Sequence, residues 1–193
     1  MMRRTVTTLL VLLLVGIAGL SCFLLLKKQP KLGRLSILPG PFHLKRPYGM
    51  APVAFDAFVR ACHQAKVNPN RITQTIGEHP RSVGYHKRDG EVTVRGVKYD
   101  YTAATDIHVS GLSERQIARL LQELSKQGFA CWYRHGGSWT LNEHIHAVYA
   151  LLPMKPQLRR QVKQFLRERR EAGLSPLKWQ KKLRRRRLYA GNI

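Results

Sequence analysis

Acidic residues are scarce in this chain. Asp and Glu together number 11 against 34 Lys and Arg in 193 residues, a formal charge of +23. That imbalance makes anionic partners the expected ones, whether nucleic acid, acidic lipid or cell-wall polymer, and says nothing about fold. Cysteine is scarcer still, at three residues. Cys22 lies in an apolar segment, so Cys62 and Cys131 are the only pair open to a disulfide in the folded part. Two separate buried thiols are the competing expectation. The chain also lacks an internal repeat, a glycine-rich phosphate loop and the aromatic pattern of an RNA-binding sheet. The positive charge therefore has no nucleic-acid motif beside it, and nucleic acid is the less favoured partner.

Charge of either sign is missing from residues 5 to 26, "TVTTLLVLLLVGIAGLSCFLLL", which follow Arg3 and Arg4. A run of that length can cross a hydrocarbon core of about 30 Å as one helix, and it also has the form of an export signal. Residues 1–28 are accordingly expected to be a signal or membrane anchor, placing the protein in the cell envelope, anchored or exported. Lys27, Lys28, Lys31 and Arg34 after the run would resist translocation, which leaves the orientation of the anchor open. Residues 29–49 are basic and interrupted by Pro30, Pro39, Pro41 and Pro47, the composition of an extended linker.

A folded domain is expected over 50–173. "VAFDAFVRACHQAK" and "QLRRQVKQFLRERREAG" carry apolar residues at helical spacing. "SERQIARLLQELSKQGF" adds Ser113 and Gln116 in capping-box positions and ends at Gly128. "RITQTIG", "FACWYR", "SWTL" and "HIHAVYA" read as short strands. "EVTVRGVKYDYTAATDIHV" reads as a hairpin turning at Arg95-Gly96, its second strand running on toward Asp106. This mixed order, without βαβ alternation, predicts an α+β fold: a small, mainly antiparallel sheet flanked by helices. Residues 174–193, with "KKLRRRR", read as a solvated basic tail. Trp132, Tyr133 and Trp139 are expected to serve the core rather than a groove.

The chemistry-bearing residues gather in "NEHIHAVY". Side chains alternate along a strand, so His144 and His146 project to one face about 7 Å apart, while Glu143 points to the other unless the strand begins at His144 or bulges there. A catalytic zinc site takes three His or carboxylate ligands and leaves a position for water. Upstream candidates are His79, His86, Asp106 and His108, with Asp106 following the small residues Ala103 and Ala104. By alternation Asp106 and His108 also share a face, which leaves a structural pairing between them open.

"YTAATD", followed about forty residues later by "HIHAVY", resembles the zinc-dependent cell-wall peptidases. These include D-alanyl-D-alanine dipeptidases and carboxypeptidases, murein endopeptidases and lysostaphin-like enzymes. The resemblance covers roughly residues 70 to 155 and rests on short motifs. It implies Asp106 and His146 as zinc ligands and hydrolysis of peptidoglycan stem peptides or cross-links. His144 matches the catalytic first histidine of the family's His-x-His branch, and Glu143 matches the base of its Glu-x-x-His branch, so both stand as catalytic candidates. The family's first ligand histidine lies seven residues before the aspartate, where this chain has Tyr99. His86, twenty residues before Asp106, is therefore taken as the third ligand, with His79 as its substitute. Arg81 is the candidate for binding a substrate carboxylate.

Overall fold

The computed structural model describes residues 45–77 and 84–185. The apolar N-terminal run, most of the proline-rich linker, His79, Arg81 and the last eight residues lie outside them. Among the described residues no helix is long and apolar enough to cross a membrane.

Helix α1 spans Pro52–Ala65, with proline in its first turn, where a missing N–H costs nothing. One face is built from Ala54, Ala57, Phe58, Ala61, Cys62 and Ala65, all buried, and the small side chains let a second helix approach closely. Strand β1 follows at Ile72–Gln74. Strands β2 (Gly90–Val94) and β3 (Val97–Tyr101) form the expected hairpin, with Arg95 and Gly96 both at positive φ in its two-residue turn.

The second strand does not run on to Asp106. It stops at Tyr101, and a separate strand, β4, begins at Ala104 in a different sheet. The break has a cause in the buried Asp89 carboxylate. It accepts hydrogen bonds from the Ala103 N–H at 2.7 Å and the Lys155 N–H at 2.7 Å, and it pairs with Lys155 Nζ at 3.0 Å. The Thr102 N–H meanwhile donates to the Gly49 carbonyl. Both backbone donors between the strands are thus taken from the hairpin.

Helix α2 (Glu114–Gln127) opens with the full capping box of Ser113 and Gln116. It closes at Gly128, where φ is +109° and an added Cβ would meet Tyr149 at 3.1 Å. Strand β5 runs over Phe129–Arg134. "SWTL" is not a strand: Gly136 and Gly137 both take positive φ, and the chain turns through a short 3₁₀ segment at Gly137–Trp139. Strand β6 (His144–Tyr149), helix α3 (Pro156–Glu171) and helix α4 (Gln180–Arg185) complete the order.

The main sheet is antiparallel in the order β1-β4-β6-β5. This is the α+β architecture expected, with each face of the sheet covered. On one face Ile107, Cys131, Ile145 and Ala147 pack with α1 and α2 residues such as Phe58 and Leu120. On the other, Ala104, Ala130 and Val148 pack with Leu158, Val162 and Phe165 of α3. Trp179 and Leu183 belong to that second cluster, and Trp179 Nε1–H donates to the Ser125 carbonyl at 2.6 Å. The start of the basic tail is therefore folded chain, with an apolar pair four residues apart anchoring a turn whose lysines face water. Cys62 and Cys131 are free, buried thiols, and burial pushes both up to about 12.

Candidate metal centre

The polar residues collect at one end of the second face. Strand pairing sets Asp106 opposite His146, His108 opposite His144, Trp132 opposite His146 and Arg134 opposite His144. Directly paired residues in an antiparallel sheet share a face, so three adjacent strands present these side chains together. Every residue of β6 is buried.

Asp106 is the hub. Its Oδ2 lies 3.2 Å from His86 Nε2, and its Oδ1 lies 2.8 Å from His146 Nδ1 and 3.9 Å from His144 Nε2. Burial alone would raise its carboxyl. Hydrogen bonding with His146 and His86 overrides that and holds it well below the usual carboxylate range, so the group is ionised. His146 moves down from its ordinary value because burial disfavours the imidazolium. A neutral imidazole beside an ionised carboxylate is the protonation state a metal ligand needs.

The outer nitrogens are held in turn. His86 Nδ1–H donates to the Thr75 carbonyl at 2.9 Å, and His144 Nδ1–H donates to the Asn142 carbonyl at 2.7 Å. A carbonyl can only accept, so each ring carries a proton on Nδ1 and Nε2 is the atom turned toward Asp106. His144 Nε2 is buried and has no hydrogen-bond partner. His86, Asp106 and His146 each offer a ligand atom within 4.8 Å of the others, and together they can hold a metal ion. Donors about 2.0 to 2.1 Å from a tetrahedral ion lie about 3.3 Å apart; here the two imidazole nitrogens stand 2.8 and 3.2 Å from different oxygens of the Asp106 carboxylate.

His146 is also boxed by rings. Trp132 stacks on it at 6.2 Å, and Tyr85 and His86 meet it edge-on at 6.2 and 5.7 Å. From α3, Gln161 Oε1 stands 3.1 Å from His146 Nε2.

Glu143 is not in this cluster. It precedes the strand, is exposed, and accepts from the Tyr133 hydroxyl at 2.7 Å and the Gly136 N–H at 3.3 Å. Tyr133 pairs with Ile145 and packs on the first core, so Glu143 is turned to the opposite side of the sheet. Ala103 and Ala104 lie in the second apolar cluster, with Ala104 two residues before Asp106 on the same strand face. His108 shares the Asp106 face at the strand end; burial first, then the Arg71 charge, lowers its pKa. Trp132 and Tyr133 pack on the cores as expected. Trp139 does not: it lies half-buried, edge-on to His144 at 5.1 Å, with the Arg134 guanidinium 4.8 Å over its ring.

Gln161 and Arg134 were not singled out from sequence. A signal existed for Gln161, a polar side chain three residues after Leu158 and four before Phe165 in the buried stripe of α3. Losing the hydrogen-bond partner of a ligand imidazole typically weakens metal binding 10- to 100-fold. Gln161→Leu is therefore expected to weaken binding of a divalent metal about 10- to 100-fold with the fold intact, read by competition with a chromogenic chelator. Unchanged affinity would remove Gln161 from the site.

No family model matches the chain, and no curated protein or solved structure matches it.

Proposed function

We propose that this protein is a zinc-dependent peptidase that hydrolyses peptide bonds in peptidoglycan stem peptides or cross-links. One observation carries the reading: a largely enclosed carboxylate met by three imidazoles, two of which have an Nδ1–H fixed on a backbone carbonyl so that Nε2 faces inward. Two imidazoles and a carboxylate suit zinc among the available divalent ions. The resemblance of "YTAATD" and "HIHAVY" to the cell-wall peptidases supports the substrate class.

His86, Asp106 and His146 would hold the ion. Bound there, zinc supplies Lewis acidity, polarising a carbonyl and acidifying water near neutral pH. His144 is the residue placed to move a proton, at the Nε2 atom that has no other partner. Its Nδ1–H···O=C bond to Asn142 fixes the ring so that this atom stays aimed inward. Trp132 and Tyr85 shield the His146 ring from water. In the net reaction the peptide C–N bond breaks, water supplying hydroxyl to the acyl carbon and a proton to the leaving amine.

The basic surface supports an anionic setting. Arg160, Arg167 and Arg170 on α3, with Lys178, Lys181 and Lys182 beyond it, are exposed and suit wall polymer or acidic lipid at the cell envelope. The apolar N-terminal run would hold the enzyme at the membrane.

The test is incubation of the zinc-loaded protein with purified muropeptides, followed by mass analysis of the products. Cleavage abolished by EDTA and restored by zinc is the expected result. A folded, zinc-loaded protein that releases no product from stem peptides or cross-linked dimers would leave a metal-bearing binding module instead.

A further inference from the structure

We infer that Arg134 holds a free carboxylate of the substrate, so that this site removes a C-terminal residue rather than cutting within a chain. The bond broken rests on the peptidase reading above; the anion site stands on the geometry of Arg134.

Arg134 is the last residue of β5 and pairs with His144, so it shares the face of His144, His146 and Asp106. Its guanidinium lies over the Trp139 ring at 4.8 Å, and that same ring meets His144 edge-on at 5.1 Å. The cation is thus held beside His144 by a flat aromatic support. It is half-buried, yet no carboxylate hydrogen-bonds it among the described residues. Glu143, the nearest acid in sequence, is engaged on the other face by Tyr133 and Gly136. Asp106 is engaged by His86 and His146, and it reaches Arg134 only as a charge at a distance.

A partly desolvated guanidinium without a fixed anion is costly unless a ligand supplies one. Its planar fork matches a carboxylate through two parallel hydrogen bonds, which an ammonium cannot reproduce. Pairing gives the position of the cut: a carboxylate held by Arg134 lies beside His144, the residue proposed to move the proton, and consecutive residues of an extended substrate are only about 3.5 Å apart, which brings the terminal peptide bond to the cluster. A neutral continuation of the chain would meet Arg134 with no charge to offer.

The zinc-loaded full chain should be titrated with N-acetyl-D-alanyl-D-alanine and with the same peptide as its C-terminal amide, by calorimetry, with cleavage followed separately. The acid is expected to bind at least about tenfold tighter, a difference of about 1.4 kcal/mol. Arg134→Gln should erase that preference while retaining one zinc, and Arg134→Lys should restore part of it. Equal binding of acid and amide by the wild type, or a preference that survives Arg134→Gln, overturns the inference. Equal cleavage of acid and amide overturns it too and leaves the peptidase reading standing. A preference for the acid that disappears in Arg134→Gln, with no cleavage of either peptide, supports the anion site and removes the peptidase reading.

Discussion

Asp106→Ala is expected to empty the metal site. Zinc retained after gel filtration should fall from about one per chain to almost none. The loss in affinity should exceed the 10- to 100-fold that follows from losing a ligand's hydrogen-bond partner. The reason is position as much as charge. Asp106 alone is approached by His86, His144 and His146, at 3.2, 3.9 and 2.8 Å, so its removal takes away one ligand and the feature on which the others converge. A second readout follows from linkage. A ligand that binds only the native state adds about 2.7 kcal/mol of stability at a hundred times its Kd. Zinc should therefore raise the melting temperature of the wild type and leave that of Asp106→Ala unmoved. A variant that keeps one tightly held zinc would place the metal elsewhere.

Turnover should fall at least about a hundredfold in His144→Ala with zinc still bound, the usual scale for losing a positioned acid or base. Glu143→Gln should change turnover less than about threefold. The two residues are adjacent in sequence and lie on opposite sides of the sheet. His144 Nε2 is buried on the Asp106 side without a partner, whereas the Glu143 carboxylate is hydrogen-bonded to Tyr133 and Gly136 on the other. Those bonds also hold the Glu143 carboxyl below its ordinary value, the Tyr133 hydroxyl contributing most, which makes it a poorer proton acceptor. Single-turnover kinetics on zinc-saturated protein separates the two variants. The reverse ranking would return the base to Glu143.

These contrasts show which parts of the site a sequence can carry. Alternation along β6 is a local property, and it places His144 and His146 together; Glu143 precedes the strand and is held on the other side by Tyr133 and Gly136. Pairing of Asp106 with His146 depends on strand register between segments forty residues apart, which alternation does not set. For His86 the deciding contact is the Thr75 carbonyl, a backbone atom in the turn after β1, and no side-chain pattern announces it. Alternation in the hairpin strand continues through Thr102 and Ala103, which is why the sequence alone predicts a longer strand than Val97–Tyr101. What ends it is Asp89, whose carboxylate takes the Ala103 N–H from outside the strand pair. In "KWQKKL" the charges hid a helical pair, Trp179 and Leu183, whose burial is plain only once α3 covers the sheet.

Gln161 has a further consequence. A side-chain amide offers a donor and an acceptor on one group that a half-turn exchanges. While His146 Nδ1 keeps its hydrogen for Asp106, Gln161 can turn its NH₂ toward Nε2. Once Nδ1 surrenders its lone pair to an ion, the hydrogen moves to Nε2 and the oxygen of Gln161 receives it. Neither arrangement strands His146 Nε2 or the Gln161 group facing it. The chain can therefore complete its fold around an empty site and load metal afterwards by rotating one side chain, without reopening its core.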